Sequence, residues 1–378
     1  MILHIITADG SLVLILAALI LTGSSALLGF VRAIYIYVQE RIAKREKASA
    51  SSHDNISSQA SQAESRPASF YGGLTGEMIG EFFGTMILIL FGDGVVATVF
   101  LFANIGANGA ATPFANEWIV IIFGWGLAVM LGIYVAGAIS GAHINPAVTL
   151  ALAATGRHPW GKVLPYWLAQ VLGAFVAGGI LYFVYQGALV HALGLNHLTI
   201  GQIAQSTTAN GYGWIFYTFP KGFVGTFGAF GDEFIGTALL VGLILVIVDA
   251  RNQPVQSNLN PLIIGLLIVA IGASFGLNTG YAINPARDFG PRLWIAIVSG
   301  GASLSADNYY FWIPIVAPLT GGVVGAFIYD YTIGKVLQAK RLGPSGDTVT
   351  TGEAVREVSP GTETTGRAVR ESGESAGD

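Results

Sequence analysis

Apolar residues in this chain come in long uninterrupted blocks, and the lengths of those blocks carry the first inference. Seven blocks lie at about 11–38, 76–102, 117–138, 163–187, 232–249, 261–277 and 310–333. Each is near the ~20 residues that an α-helix needs to cross the hydrocarbon core of a bilayer. Two further blocks, 145–155 and 284–297, are too short to span. At 1.5 Å per residue the first of them reaches about half that thickness. Residues 46–73 read as a polar, Ser-rich linker, and 336–378 as a disordered tail with almost no large apolar side chain. The expected organisation is an extra N-terminal hydrophobic helix within 1–45, the linker, a membrane domain at 74–335, and the tail. A removed signal peptide is the rival reading of the first block. It lacks a positively charged leading region and a clear small-residue cleavage site.

Basic residues orient the spans. Arg41, Lys44, Arg45 and Lys47 follow the first block; Arg157 and Lys162 precede the fourth; Arg251 lies between the fifth and sixth; Lys335, Lys340 and Arg341 follow the last. Residues 103–116 carry no Lys or Arg, and 188–231 only Lys221. With seven spans, all the rich connections fall on one face, which places the C-terminus in the cytosol.

Composition agrees with the pattern. Of 378 residues, 53% are hydrophobic and 11% charged, against about 25% charged in a soluble globular domain. A net charge of −4 gives no case for a nucleic-acid partner. The absence of cysteine excludes disulfides, thiol nucleophiles and thiolate metal sites. His158, His191 and His197 are scattered without metal spacing, so neither metal nor cofactor is expected.

The chain also repeats itself. EFFGTMIL at 81–88 matches EFIGTALL at 233–240, and GAHINPAVTL at 141–150 matches GYAINPARDF at 280–289. The repeats occupy about 74–187 and 231–335. An odd number of spans separates the matching elements, so the second copy runs inverted, and inverted repeats place a site at the midplane between broken helices. Asn is a favoured N-cap and Pro a favoured first helical residue. One Asn-Pro-Ala is only a helix start. Two copies, Asn145-Pro146-Ala147 and Asn284-Pro285-Ala286, open two half-helices that enter from opposite faces and meet tip to tip. Two amide donors and two positive dipole ends then converge there. That suits a narrow wet path for small neutral molecules. An anion path is the electrostatic rival, weakened by the pore size and by the carbonyls that loops 139–144 and 278–283 present.

Arg287 falls in the first turn of the second half-helix, where a cation opposes the helix dipole. The matching position in the first repeat is Val148, so the fold does not demand arginine, and a role beside the path is favoured. By depth, Trp125, Gly272 and Tyr281 reach the level of Arg287. Alone, Trp125 reads as an interfacial belt residue and Gly272 as a packing glycine. Asp288 is placed to favour the dipole and to pair with Arg292. Glu81 and Glu233 are carboxylates at membrane depth, read either as a proton relay or as acceptors for free loop N–H groups.

These residues resemble the aquaporin (major intrinsic protein) family over about 75–335, and within it the aquaglyceroporin, or glycerol facilitator, branch. The resemblance implies an all-α membrane protein: six transmembrane helices and two re-entrant half-helices, as a homotetramer with one pore per subunit. It implies a selectivity filter of Trp125, Gly272, Tyr281 and Arg287, with His143 lining the cytosolic mouth. Glu81, Glu233, Asp288 and Arg292 would be loop scaffold. Gly272, Asp288, Arg292 and Pro314 match the glycerol branch, and Tyr281 departs from its usual Phe. Glycine at 272 would leave width that a histidine would remove. The implied function is passive passage of glycerol, water and similar small neutral solutes across a membrane, with the plasma membrane the expected location. A water-selective channel, an ion-coupled transporter using the two Glu residues, and an intramembrane enzyme are the alternatives. The enzyme reading lacks any Cys, any His-x-x-x-His zinc helix, and any paired acid/base set beyond Glu81 and Glu233, which lie at equivalent repeat positions.

Overall fold

The computed structural model describes residues 70–103, 117–204 and 212–341. The hydrophobic helix expected within 1–45 and the linker up to residue 69 lie outside the described residues, as does the tail beyond 341. Among the described residues ten α-helices form: α1 (Leu74–Leu101), α2 (Trp118–Ser140), α3 (Pro146–Ala154), α4 (Val163–Leu195), α5 (Thr226–Val248), α6 (Asn260–Thr279), α7 (Pro285–Val298), α8 (Ala302–Tyr309), α9 (Ile313–Tyr329) and α10 (Lys335–Arg341). A π-helical turn, Asp330–Gly334, joins the last two. Six elements are long and apolar enough to cross a membrane, and no strand occurs among the described residues. The protein is thus an all-α bundle of six long apolar helices with α3 and α7 as short helices.

The surface differs from that of a water-soluble domain, and a few charges lie within an otherwise apolar core. Large apolar side chains such as Phe123, Leu127, Leu168 and Phe183 face outward, whereas Glu81, Asp93, Glu233, Asp288 and Arg292 are fully buried. With no hydrophobic drive between helices in lipid, close backbone approach holds them together, and small residues permit it. The crossing of α2 and α6 shows why. A Cβ added at Gly126 would sit 2.7 Å from the Gly265 carbonyl oxygen, and one at Gly265 2.6 Å from that of Gly126. The two halves pack alike, α1 against α2 and α4, α5 against α9 and α6, and α2 against α6 joins them.

Three boundaries differ from the pattern reading. α4 runs to Leu195 rather than 187, because Leu189 and Leu193 bury against Ile203, Ile215 and Phe216 of the following connection. α5 begins at Thr226 rather than 232, since Ala229 packs with Tyr310, Ile313 and Ala317. Helix α10 carries regular structure through Arg341, past the expected tail boundary at 335.

Candidate functional site

The site begins with two short loops whose backbones are held under strain. Helices α2 and α6 end in left-handed glycines, Gly141 (φ 85°) and Gly280 (φ 93°). Ala142 (φ 50°) and Ile144 (φ 42°) follow in the first loop, Tyr281 (φ 38°) and Ile283 (φ 42°) in the second. Positive φ at such residues costs of order 1–3 kcal/mol each and persists only when neighbours enforce it. A buried carboxylate does so in each half. Glu81 accepts hydrogen bonds from the N–H groups of His143 (2.9 Å) and Ile144 (2.6 Å), and from Ser140 and Gln170. Glu233 accepts from Ala282 (2.8 Å), Ile283 (2.7 Å) and the Thr279 hydroxyl. Both carboxylates are thereby committed to loop donors.

Each loop then starts a half-helix through an Asn-Pro pair. Asn145 accepts from the Ala147 N–H (2.8 Å), and Asn284 from those of Ala286 (3.0 Å) and Arg287 (3.3 Å). Capping fixes the amide orientation, so each NH₂ faces away from its own helix. One donor crosses to the other repeat: Asn145 to the Ile283 carbonyl and Asn284 to the Ile144 carbonyl, both at 2.9 Å. These reciprocal bonds hold the tips of α3 and α7 together, with Pro146 and Pro285 at the first helical positions.

A cavity of about 260 Å³ runs past this junction. Its wall includes His143, Asn145, Asn284, Trp125, Tyr281 and Arg287, among mainly apolar side chains such as Leu88, Val148 and Ile268. Arg287 lies with its guanidinium carbon 4.1 Å from the centre of the Trp125 ring, a cation–π contact. The Tyr281 ring stands edge-on to Trp118, 6.0 Å between centres, and its hydroxyl has no hydrogen-bond partner.

Gly272 lies against a neighbouring aromatic ring. A Cβ there would meet Ile122 and the Tyr281 ring, each at 2.8 Å, and one at Gly276 would meet the same ring at 2.7 Å. The two glycines form the seat that lets Tyr281 lie flat against α6.

Asp288 and Arg292 belong to α7 and lie outside the cavity wall. Arg292 donates from Nε to Asp288 (2.8 Å), from Nη1 to the Ser303 carbonyl and from Nη2 to the Thr218 carbonyl. Asp288 accepts from the Thr218 N–H and hydroxyl. Together they clasp the connection before α5 and the start of α8 to the second half-helix. At the opposite end, His143 bonds the Thr149 hydroxyl (3.1 Å) and packs against His158 and Tyr166. Burial and the nearby Lys162 ammonium hold His158 below the usual imidazole range.

Sequence reasoning missed Asp93, a fully buried carboxylate in α1 whose Oδ1 lies 3.4 Å from Arg287 Nη1. The available signal was an aspartate inside an apolar span, in FGDG at 91–94.

Comparison with known proteins places this geometry. Residues 70–329 match the family model described as major intrinsic protein. An aquaglyceroporin-2 from Rhizophagus irregularis is 44% identical over 67% of this chain and 76% of its own length. A probable glycerol uptake facilitator protein from Thermotoga maritima is 42% identical over 67% of this chain and 97% of its own. Among solved structures, the aquaglyceroporin from Plasmodium falciparum superposes with a TM-score of 0.60 at 34% identity, covering 71% of this chain and all of that one. Two half-helices tied tip to tip, and a family match over most of the chain, lead to one conclusion: the chain belongs to the major intrinsic protein family.

Proposed function

We propose that this protein is a passive channel for glycerol and similar small neutral solutes, conducting water as well and excluding protons and ions. One observation carries the reading: Arg287, Trp125 and Tyr281 share the wall of one lumen with Asn145 and Asn284, and the Arg287 guanidinium lies on the Trp125 ring. A polyol has a carbon edge and a hydroxyl edge. The Trp125 and Tyr281 rings take the first, and the Arg287 donors take the second. Gly272 belongs to this filter as the seat of Tyr281. Below it, Asn145 and Asn284 each keep one NH₂ hydrogen for a passing oxygen. The positive ends of α3 and α7, about half a charge each, raise the barrier for a hydronium or metal cation stripped of water. Pro146, Ala147, Pro285 and Ala286 set the starts of the half-helices, and His143 lines the cytosolic mouth. Glu81, Glu233, Asp288 and Arg292 hold the loops.

The names of the relatives, aquaglyceroporins and a glycerol uptake facilitator, support the same substrate class. A homotetramer in the plasma membrane with a cytosolic C-terminus completes the reading, and the ring of outward apolar side chains supports burial in lipid or against sister subunits.

Vesicles holding the purified protein, shrunk in glycerol and followed by light scattering, test the reading. Re-swelling well faster than protein-free vesicles, and indifferent to collapse of a proton gradient, is the expected result. Rapid water flux with glycerol entry at the protein-free rate would select a water-only channel. Flux that stops with the gradient would select a coupled transporter.

A further inference from the structure

Asp93 has no part in the reading above, yet it is the carboxylate that faces Arg287 across an ion pair at the lumen wall. It lies inside α1, fully buried, beside Gly92, whose missing side chain leaves room for the Trp125 ring. Arg287 reaches it from α7, Nη1 to Oδ1 at 3.4 Å, with the two side chains 6% and 0% exposed. That exceeds the 2.7–2.9 Å of a tight charged hydrogen bond, and Oδ2 has no hydrogen-bond partner. Asp288 does not compete for the guanidinium, since Arg292 and Thr218 occupy it. The guanidinium therefore has the Trp125 face on one side, the lumen in front and the Asp93 carboxylate behind. Arg287 borders the cavity; Asp93 does not.

We propose that Asp93 is the counter-ion of Arg287 and sets, from behind the lumen wall, the charge that a passing molecule meets at the constriction. The inference rests on the channel reading above. Asp93 touches no solute; it is a positioning residue that acts through Arg287. The pair is close to neutral at long range but presents its donors at contact. A hydroxyl arriving at the wall finds N–H groups, while the pull that a lone buried guanidinium exerts on anions is cancelled from behind. An unpaired charge at this depth is costly and reorganises what surrounds it, so deleting either partner has an effect of its own sign. Loss of Asp93 leaves a bare cation on the lumen wall. Loss of Arg287 leaves a carboxylate beside the lumen with neither oxygen compensated, which admits cations.

The test is voltage clamp on cells expressing the wild type, Asp93→Asn, Asp93→Glu, Arg287→Val and the double variant Asp93→Asn/Arg287→Val, with surface protein quantified. Arg287→Val should carry a cation current that the double variant reduces by on the order of tenfold, as removal of a close unscreened charge requires. Asp93→Asn should move the reversal potential toward that of nitrate, while Asp93→Glu, keeping the charge, should stay with the wild type. A side chain that only fills space would give equal currents in Arg287→Val and the double variant. That equality, no current in Arg287→Val, or an unmoved reversal potential in Asp93→Asn would each overturn the proposal. Glycerol swelling of the wild type is scored separately, so failure of the channel reading is distinguishable from failure of this one.

Discussion

Tyr281 and Gly272 show how one residue's chemistry depends on another's absence. The Tyr281 ring occupies the volume that side chains at 272 and 276 would take, so Gly272→Ala must push it toward the lumen. Glycerol permeability should fall by about tenfold, because a displacement near 1 Å in a fitted site costs that much or more, and water should fall less. Stopped-flow scattering with both solutes checks this; equal losses for the two would place the ring elsewhere. Tyr281→Phe is the complement. Its buried hydroxyl has no protein partner, so removing it should not lower thermal stability, and a loss above about 0.5 kcal/mol would reveal a bond. The Asn-Pro-Ala pairs and Arg287 were legible because each breaks a local rule: an Asn in an apolar run, a cation at a helix start. Asp93 broke the same rule and escaped because its partner lies on another helix, 194 residues away. Gly272 was legible as a glycine at the depth of Arg287, but its contact with the Tyr281 ring was not, since that depends on where a neighbouring side chain lies.

At the scale of elements, the two strained loops depend on two carboxylates. Each Glu233 oxygen accepts a loop N–H. A glutamine offers one acceptor and turns an NH₂ toward the second N–H. Glu233→Gln should therefore leave a buried donor unmet and lower stability by about 1–3 kcal/mol, read as earlier thermal unfolding in detergent. An unshifted transition would show the carboxylate dispensable. The α3–α4 connection carries a pH effect. His158 is held below its ordinary value by burial and by Lys162, so the folded chain binds its proton less readily than the unfolded chain. Its contribution is complete above about pH 6.5 and is lost as pH falls toward the lowered folded value. Unfolding temperature should drop between pH 7.5 and 5.5, and His158→Gln should shrink that drop; identical drops would exclude His158. Block lengths located the six described spans and both half-helices, but not their ends. The extra turns of α4 and the early start of α5 come from packing against distant segments, which periodicity within one block cannot register.

At the scale of the whole, the described residues present apolar side chains outward and enclose a lumen with a few polar groups, with the inverted repeat bringing two half-helix tips to one point. That topology followed from counting spans between repeated motifs, because an odd count forces inversion. The cross-bonds that lock the tips, Asn145 to Ile283 and Asn284 to Ile144, did not follow; they depend on amide orientations that only the assembled loops define. The most direct measurement is a density map of the protein in bilayer discs soaked with glycerol. It should show the polyol in single file within the lumen, its hydroxyls bonded to Arg287 and then to Asn145 and Asn284, its carbons against Trp125 and Tyr281. A lumen closed between the two tips, or Arg287 directed away from any passage, would contradict the account.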